Sequence, residues 1–329
     1  MRSTIVEPKV ERAVIEINGG CNYTCQMCPQ TNPGRHKGFL RTMKLDEFEG
    51  YVLQCVDRGV KVVNLEGSGE ATLVRKLPEY IKILTKHNVL SYIFSNGFKF
   101  RNSFMEQCVD AGLSRLRFSI IGYNASKYKE WMNRDAFDFV KKNAIEAQEY
   151  ISKTNGVTEL ASYHLITDND QLDFEIEEYK KNWIEPTGTL AEIWKMHNWS
   201  GQLDVNWRQG AKKRSCGRPF SPDLIVRAGG NDGKQGAVVP CCMVLGQDSK
   251  AVLGHLSEQS IEEIWYGEKY EHLRQMHREH RFDEIDYCKD CDMLYDTPEA
   301  LVWSNYEEAD YSNMTGSTEN MINLAEYRI

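Results

Sequence analysis

The chain has 329 residues, of which 41% are hydrophobic and 27% charged, and its formal net charge is −8. Such a chain can bury one large core and a smaller second one. The acidic balance argues against a dedicated nucleic-acid surface, and no apolar run reaches the ~18 residues of a membrane span. The N-terminal residues lack the apolar core of a signal peptide, so a cytoplasmic protein is expected.

Short β-branched runs alternate with longer amphipathic segments from Ala13 to about Gly201. The runs predict six strands, namely Ala13–Ile17, Val60–Leu65, Leu90–Phe94, Leu116–Ile120, Glu159–Ile166 and Leu190–Met196. The segments between them predict helices, among them Leu45–Arg58, Leu77–His87, Phe137–Ser152 and Leu172–Trp183. Such alternation indicates a parallel sheet with right-handed crossovers. Since a closed barrel needs eight strands, the pattern predicts an α/β fold with a partial, TIM-like (β/α)6 barrel.

Three cysteines, Cys21, Cys25 and Cys28, follow the first predicted strand in the stretch GGCNYTCQMCPQ. Closely spaced soft thiolates suit iron–sulfur clusters, and three of them leave one iron of a cubane open to another ligand. A partial zinc site is the alternative, although this spacing is uncommon for zinc. Ten cysteines in a chain expected to be cytoplasmic favour metal binding over disulfides.

Polar loops follow all six predicted strands, at the end of the barrel where catalytic residues lie. After the cysteine loop come the segments EGSGEAT, SNG, SIIGYN, TDND and HNWSG. Turns favour these residue types in any fold, yet six such loops around a cysteine cluster indicate one common site. Side chains there that could act as a base or bind a hydroxyl group are Tyr123, His164, Asp168, His197 and Trp199.

The pattern changes after Trp199. Residues 223–242 predict a β-hairpin with a Gly-rich turn, and residues 260–280 predict one helix opened by a capping box of Ser260 and Glu263. We therefore expect three parts: a core domain over 1–204, a small α+β domain over 205–295, and a tail over 296–329 that forms a helix or a lid.

With these motifs in this order, the sequence resembles the radical S-adenosylmethionine (radical SAM) superfamily, and specifically its members with a C-terminal SPASM or Twitch domain. The resemblance covers roughly Val14 to Asp292. It implies a [4Fe–4S] cluster held by Cys21, Cys25 and Cys28, with SAM chelating the remaining iron. The reduced cluster cleaves SAM to a 5′-deoxyadenosyl radical, which abstracts hydrogen from the substrate. It also implies an external electron donor such as a flavodoxin or ferredoxin.

The resemblance further implies a set of SAM-binding residues. The segment Gly67, Ser68, Gly69 and Glu70 resembles the Gly-Gly-Glu segment of the family, with Ser68 at a glycine position. A Gly-rich turn lets backbone carbonyls approach the SAM ammonium group, and a carboxylate adds charge. The other implied contacts are Met27, Ser95, Asn96, Ser119, Thr167 and Asn169. The last three can equally be capping residues.

Five further cysteines lie in the last third of the chain. Four of them, Cys216, Cys241, Cys288 and Cys291, resemble the ligands of the Twitch form and imply one auxiliary [4Fe–4S] cluster. A structural zinc site would need the same four thiolates. Cys242 is then left over.

The resemblance leaves two reactions open for a radical SAM enzyme. The first, which we favour, is an oxidoreductase reaction that removes two electrons from a small sugar- or cyclitol-like alcohol, with the auxiliary cluster accepting the second electron. The second is peptide modification, either epimerisation or cross-linking, in which Cys242 could return a hydrogen atom. Under the first reading Cys242 is a spare thiol. An electron carrier without radical chemistry is disfavoured by the intact SAM segments.

Overall fold

The computed structural model describes residues 9–31, 41–154, 156–208, 212–229, 234–244, 249–295 and 297–307. Within these ranges one ten-stranded sheet forms the centre of the molecule. Its strands are β1 (Arg12–Ile15), β2 (Val62–Asn64), β3 (Leu90–Ser95), β4 (Arg115–Ser119), β5 (Glu159–Leu165), β6 (Leu190–Trp194), β7 (Asp223–Arg227), β8 (Ala237–Val239), β9 (Gly254–His255) and β10 (Leu301–Ser304).

Strands β1 to β6 lie side by side in chain order and all run parallel. The six-unit partial barrel predicted from the alternating pattern is therefore confirmed. Strand β7 pairs in parallel with the outer edge of β1, and β8 and β9 follow as antiparallel neighbours. The predicted hairpin is thus present, and it extends the same sheet instead of forming a separate one.

Nine α-helices occur in the described residues, namely α1 (Leu45–Asp57), α2 (Leu77–Lys86), α3 (Asn102–Asp110), α4 (Ala125–Met132), α5 (Phe137–Thr154), α6 (Leu172–Tyr179), α7 (Glu185–Thr187), α8 (Ile261–Trp265) and α9 (Glu268–Arg278). A π-helical turn, Lys180–Ile184, joins α6 to α7. The capping box of Ser260 and Glu263 is present at the start of α8. The single helix predicted over 260–280 is wrong, because the chain is extended at Gly267 and α9 starts anew there.

A last strand, formed by residues that come after the small domain in the chain, completes the sheet at its β6 edge. Strand β10 pairs antiparallel with β6. Although the sequence allows a helix or a lid over 296–329, residues Leu301–Ser304 form an edge strand, and residues 308–329 lie outside the described ranges. Among the described residues, no helix has both the length and the apolar character that crossing a membrane requires.

The parallel strands place their carboxyl ends along one rim of the half-barrel. On one face of this parallel sheet the strand residues are almost fully buried, for example Ile15, Val63, Ile93, Leu116 and Ile193. This apolar layer fixes the strands, so the loops after them meet at the same rim.

Candidate active site

A cavity of about 560 Å³ opens at the carboxyl ends of the parallel strands. This volume lies in the range of sites that bury a drug-sized ligand. Eight of the ten predicted SAM contacts line it, namely Met27, Gly67, Ser68, Gly69, Glu70, Ser95, Asn96 and Ser119. The loops after the first four strands therefore form one site.

The three cysteines of the first loop border this cavity. Burial raises the pKa of the Cys25 thiol well above its ordinary value, and negative charge on Cys28 and Cys21 raises it further. The three sulfur atoms are therefore close enough to repel one another as thiolates. A cationic group between the thiolates would offset both the cost of burying them and their mutual repulsion. The irons of a cluster are such a group.

The small domain contains a second group of mutually close thiols. Burial raises the pKa of Cys288 and of Cys291 well above the ordinary value, and charges on Cys216 and Cys241 add to both shifts. None of the chain's ten cysteines, all within the described ranges, forms a disulfide. No three His, Cys, Asp or Glu side chains in those ranges converge as ligands of a single metal ion. In a cubane cluster each thiolate binds a different iron, so the four thiols need not converge on one metal position. Their mutual electrostatic repulsion, which shows that they lie close together, is therefore the observation that supports a cluster.

The glycines after β2 are required by close contacts with the residues that follow β1. A Cβ atom at Gly69 would lie 2.1 Å from the Asn18 carbonyl oxygen, and one at Gly67 would lie 2.2 Å from a carboxylate oxygen of Glu16. The same Glu16 carboxylate accepts hydrogen bonds from the backbone and hydroxyl groups of Ser68. The turn thus rests on β1 with its backbone exposed to the cavity, as recognition of an ammonium group by carbonyls requires.

The Glu70 carboxylate is 3% exposed and already accepts four hydrogen bonds. Its donors are the backbone and hydroxyl groups of Thr72 (3.1 and 2.7 Å), the hydroxyl group of Ser95 (2.7 Å) and the backbone of Asn96 (2.7 Å). The side-chain amide of Asn96 in turn donates to the side-chain oxygen of Asn22 in the cysteine loop at 2.9 Å. Glu70 therefore fixes the loops after β2 and β3 relative to each other and to the cysteines.

Sequence reasoning missed a group of charged residues in the cavity wall, Glu66, Arg117 and Arg227. Glu66 follows β2, Arg117 lies within β4, and Arg227 ends β7. The Arg117 guanidinium lies 3.7 Å from the ring centre of Phe94 and donates to Glu192 at 2.7 Å. A charged residue inside a strand of a buried parallel sheet is rare, and this signal could have identified Arg117.

His164 lies outside the cavity lining and is fully buried. Its Nε2 atom lies 2.8 Å from Glu175, its Nδ1 atom lies 2.9 Å from the Ile120 carbonyl oxygen, and its ring stacks on Tyr179. These contacts use both ring nitrogens. His164 therefore stabilises the core and does not meet substrate in this arrangement.

Four other predicted site residues also lie outside the cavity lining. Thr167 donates to Glu175 from both its backbone and its hydroxyl group, at 2.8 Å in each case. Asp168 caps the short helical turn that begins at Asn169, and Tyr123 packs edge-on against Phe174. Asp168, proposed as a base, is therefore a helix-capping residue in this structure, and Thr167 is tied to Glu175 and does not line the cavity.

His197 and Trp199 do line the cavity. Burial lowers the pKa of His197 well below its ordinary value, and the charges of Arg208 and Arg218 lower it further, so the ring is neutral at pH 7. Its Nδ1 atom accepts the Trp199 backbone N–H at 3.3 Å, which assigns the proton to Nε2. His197 is therefore a hydrogen-bond donor in the wall and a weak base.

Cys242 lines the same cavity as the first cysteine loop. Its carbonyl oxygen accepts a hydrogen bond from Arg227 at 3.3 Å. Negative charge on Cys242 raises the pKa of Cys216 and of Cys241, so its thiol also lies near the second cysteine group. Cys242 is thus positioned between the two predicted cluster sites.

The fold and these two thiol groups define a cofactor-dependent partial-barrel protein with two iron–sulfur sites. Residues 15–173 match the family model described as the radical SAM superfamily. Residues 233–292 match the model described as SPASM, an iron–sulfur cluster-binding domain. The chain belongs to the radical SAM superfamily and carries a SPASM domain, as the motifs predicted.

Two curated relatives illustrate the likeness in sequence. The GTP 3′,8-cyclase of Helicobacter pylori strain J99 is 28% identical over 170 residues, which are 51% of this chain and 51% of that protein. The chain thus matches about half the length of the cyclases. The S-adenosyl-L-methionine-dependent 2-deoxy-scyllo-inosamine dehydrogenase of Niallia circulans is 22% identical over 289 residues, 84% of this chain and 90% of that protein.

Two solved structures share the fold. BtrN in complex with AdoMet and 2-DOIA has a TM-score of 0.59 at 18% identity, and the match covers 91% of this chain and 100% of that one. Streptococcus suis SuiB bound to its precursor peptide SuiA has a TM-score of 0.62 at 12% identity, covering 98% and 77%. At these identities the likeness establishes the fold.

Proposed function

We propose that the protein is a radical SAM oxidoreductase that oxidises an alcohol carbon of a small sugar- or cyclitol-like substrate. The observation that carries this proposal is the presence, in one chain, of a three-thiol group at the cavity and a separate four-thiol group in the small domain. The match to an inosamine dehydrogenase over 84% of the chain supports it, since that name describes oxidation of a cyclitol.

The donor sets fit the cofactors of the family. Cys21, Cys25 and Cys28 would hold the [4Fe–4S] cluster, and the turn Gly67–Gly69 would bind the ammonium group of SAM. When bound, the cluster and SAM supply a 5′-deoxyadenosyl radical that abstracts a hydrogen atom from the substrate. Ser95, Asn96 and Ser119 remain the proposed contacts to the rest of SAM, while Glu70 holds the loops that carry them.

Oxidation of an alcohol carbon to a carbonyl removes one hydrogen atom, one proton and one electron. The hydrogen atom leaves with the 5′-deoxyadenosyl group, and a base in the cavity wall takes the proton. Cys216, Cys241, Cys288 and Cys291 would hold the auxiliary cluster, which would supply an acceptor for the electron. An external donor of the flavodoxin or ferredoxin class would supply the electron for the first cluster, and the ten thiols suit a reducing cytoplasm.

Removal of the second thiol pair tests the role of the small domain. The anaerobically reconstituted protein and its Cys288→Ala/Cys291→Ala variant are incubated with SAM, reductant and a panel of cyclitols and amino sugars. We expect one carbonyl product for each 5′-deoxyadenosine in the wild type. The variant should still cleave SAM but form no carbonyl product, and unchanged carbonyl yield in the variant would remove the electron-acceptor role.

A second candidate function is favoured by the position of Cys242 in the cavity wall. A thiol at this position can return a hydrogen atom to a substrate carbon radical, which inverts the carbon without net oxidation. The substrate would then be epimerised, in a peptide or a small molecule, and a cross-linking reaction on a peptide is the related possibility. The likeness in fold to the peptide complex of SuiB is consistent with this second function.

A further inference from the structure

Three carboxylates lie at or beside the cavity, and they differ in how many hydrogen bonds they accept. Glu70 accepts four, as described above. Glu16 accepts two from Ser68 and one from the Ala228 backbone at 3.2 Å. Among the described residues Glu66 accepts one, a long one of 3.3 Å from the Asn64 side chain. Arg227 also lies 3.5 Å from Glu16, so of these three carboxylates, each with about four acceptor sites, Glu66 retains the most capacity for a ligand.

Two arginine residues that line the same wall each have one buried N–H group without a partner among the described residues. Arg227 is 2% exposed, and its Nε–H group has no hydrogen-bond partner among the described residues. The Nε–H group of Arg117 is likewise buried and without a partner there. The other nitrogens of Arg227 contact Glu16 and the Val244 carbonyl oxygen, and Arg117 is paired with Glu192. Neither arginine closes a salt bridge with Glu66, although both act on its charge.

A carboxylate with free acceptor sites, beside two arginines with unused N–H groups, matches the needs of an alcohol that is losing its proton. We propose that Glu66 accepts the hydroxyl proton of the substrate, and that Arg117 and Arg227 bind its oxygen atoms. This inference rests on the proposed oxidation, because only that reaction requires a proton acceptor at the hydroxyl group. The hydrogen atom and the electron leave as described above, so the proton on Glu66 completes the balance.

The surroundings of Glu66 suit this role. Burial raises the pKa of Glu66 above its ordinary value, which makes it a stronger base, while Arg117, Asn64, Arg227 and Arg218 act in the opposite direction and keep it ionisable. Glu70 in the same wall is occupied by its four hydrogen bonds, so His197 is the other candidate base there, and burial lowers its pKa. Because a base near the working pH transfers protons most efficiently, Glu66 is the better candidate of the two.

The test compares Glu66→Gln with the wild type, using a substrate deuterated at the alcohol carbon. We expect the variant to keep its iron content, its SAM affinity and the transfer of deuterium into 5′-deoxyadenosine. The carbonyl yield per 5′-deoxyadenosine should fall by about 100-fold or more, the usual contribution of a general base. In the wild type the carbonyl-forming rate should drop as the pH falls through the raised pKa of Glu66, and the variant should lack this drop.

Glu192→Gln is the matched control. It removes a carboxylate from the same Arg117, but Glu192 lies outside the cavity lining. This variant should raise KM and keep the carbonyl yield per 5′-deoxyadenosine near that of the wild type. A rise in KM with unchanged yield in Glu66→Gln would make Glu66 a binding residue and overturn the inference, as would an unchanged pH profile. If the wild type itself forms no carbonyl, the proposed function has failed instead.

Discussion

Arg227 and Glu16 form a buried ion pair, with Nη1 of Arg227 lying 3.5 Å from Oε2 of Glu16 and each residue no more than 2% exposed. Glu16 supports the Ser68 turn after β2, while Arg227 donates to the carbonyl oxygens of Cys242 and Val244. One pair therefore connects the turn proposed to bind SAM to the loop that follows Cys241, a proposed ligand of the auxiliary cluster.

Removal of one partner of this pair should destabilise the protein strongly. Glu16→Ala leaves the Arg227 charge buried and uncompensated, which costs about 3–5 kcal/mol of unfolding free energy. Urea unfolding followed by tryptophan fluorescence measures the effect. The Glu16→Met/Arg227→Met double variant should lose less stability than the two single changes combined. Additive losses would show that the two charges do not interact.

The glycine turn should tolerate no side chain. Gly69→Ala places a methyl group 2.1 Å from the Asn18 carbonyl oxygen, so the turn must shift away from the cysteine loop. We expect SAM affinity, measured by equilibrium dialysis of the reconstituted protein, to fall at least tenfold. Gly50→Ala in α1 is the control, because nothing lies within 4 Å of its Cβ position. That change should stabilise the protein by about 0.5–1 kcal/mol and keep SAM affinity.

The small domain should weaken at mildly acidic pH because of His277. Burial lowers the pKa of this histidine to about 4, with the charge of His280 adding to the shift. The folded state binds the proton only at a lower pH than the unfolded state does. Stability is therefore full above about pH 6.5 and is lost as the pH falls toward 4. From pH 6.5 to pH 5 the loss is roughly 2 kcal/mol.

A His277→Gln variant provides the comparison, since acid loss of iron is common to both proteins. We expect its unfolding free energy to change less than that of the wild type over the same pH interval. Equal slopes in the two proteins would assign the acid sensitivity to groups other than His277.

The Cys242 thiol distinguishes the two candidate reactions. If the protein is an oxidase of a small alcohol, Cys242→Ala should retain both clusters and most carbonyl formation. If it is an epimerase, the variant should cleave SAM yet fail to complete the product, because the returning hydrogen atom is missing. Product analysis by mass spectrometry in deuterated solvent reports the difference, since an exchangeable thiol delivers deuterium only to an epimerised carbon.

The sequence predicted the strands of the barrel closely because each is a short apolar run within a regular alternation. The first four differ from the observed bounds by at most two residues at either end, as for Leu90–Phe94 against Leu90–Ser95. Helices α3 and α4, of nine and eight residues, are not among the helices named from the sequence. Strand β10 pairs with a partner more than a hundred residues away, which no local pattern reports.

The parts of the site that depend on the spacing of residues in the sequence could be predicted. The parts that depend on tertiary contacts could not. The cysteine loop and the turn after β2 reach the cavity as expected. From the sequence, His164 was as plausible a cavity residue as these, but in the fold Glu175 on the following helix binds it within the core. Conversely, Glu66 in the loop after β2 and Arg117 within β4 line the cavity only because the fold turns both positions toward its interior.

The most direct test of the proposed oxidation is the fate of the hydrogen on the alcohol carbon. The reconstituted protein is given SAM, reductant and a cyclitol or amino sugar deuterated at that carbon, in ordinary water and under anaerobic conditions. We predict one deuterium in each 5′-deoxyadenosine and one carbonyl product without deuterium at the same carbon. Recovery of the alcohol with inverted configuration and solvent hydrogen at that carbon would contradict the oxidation and establish epimerisation.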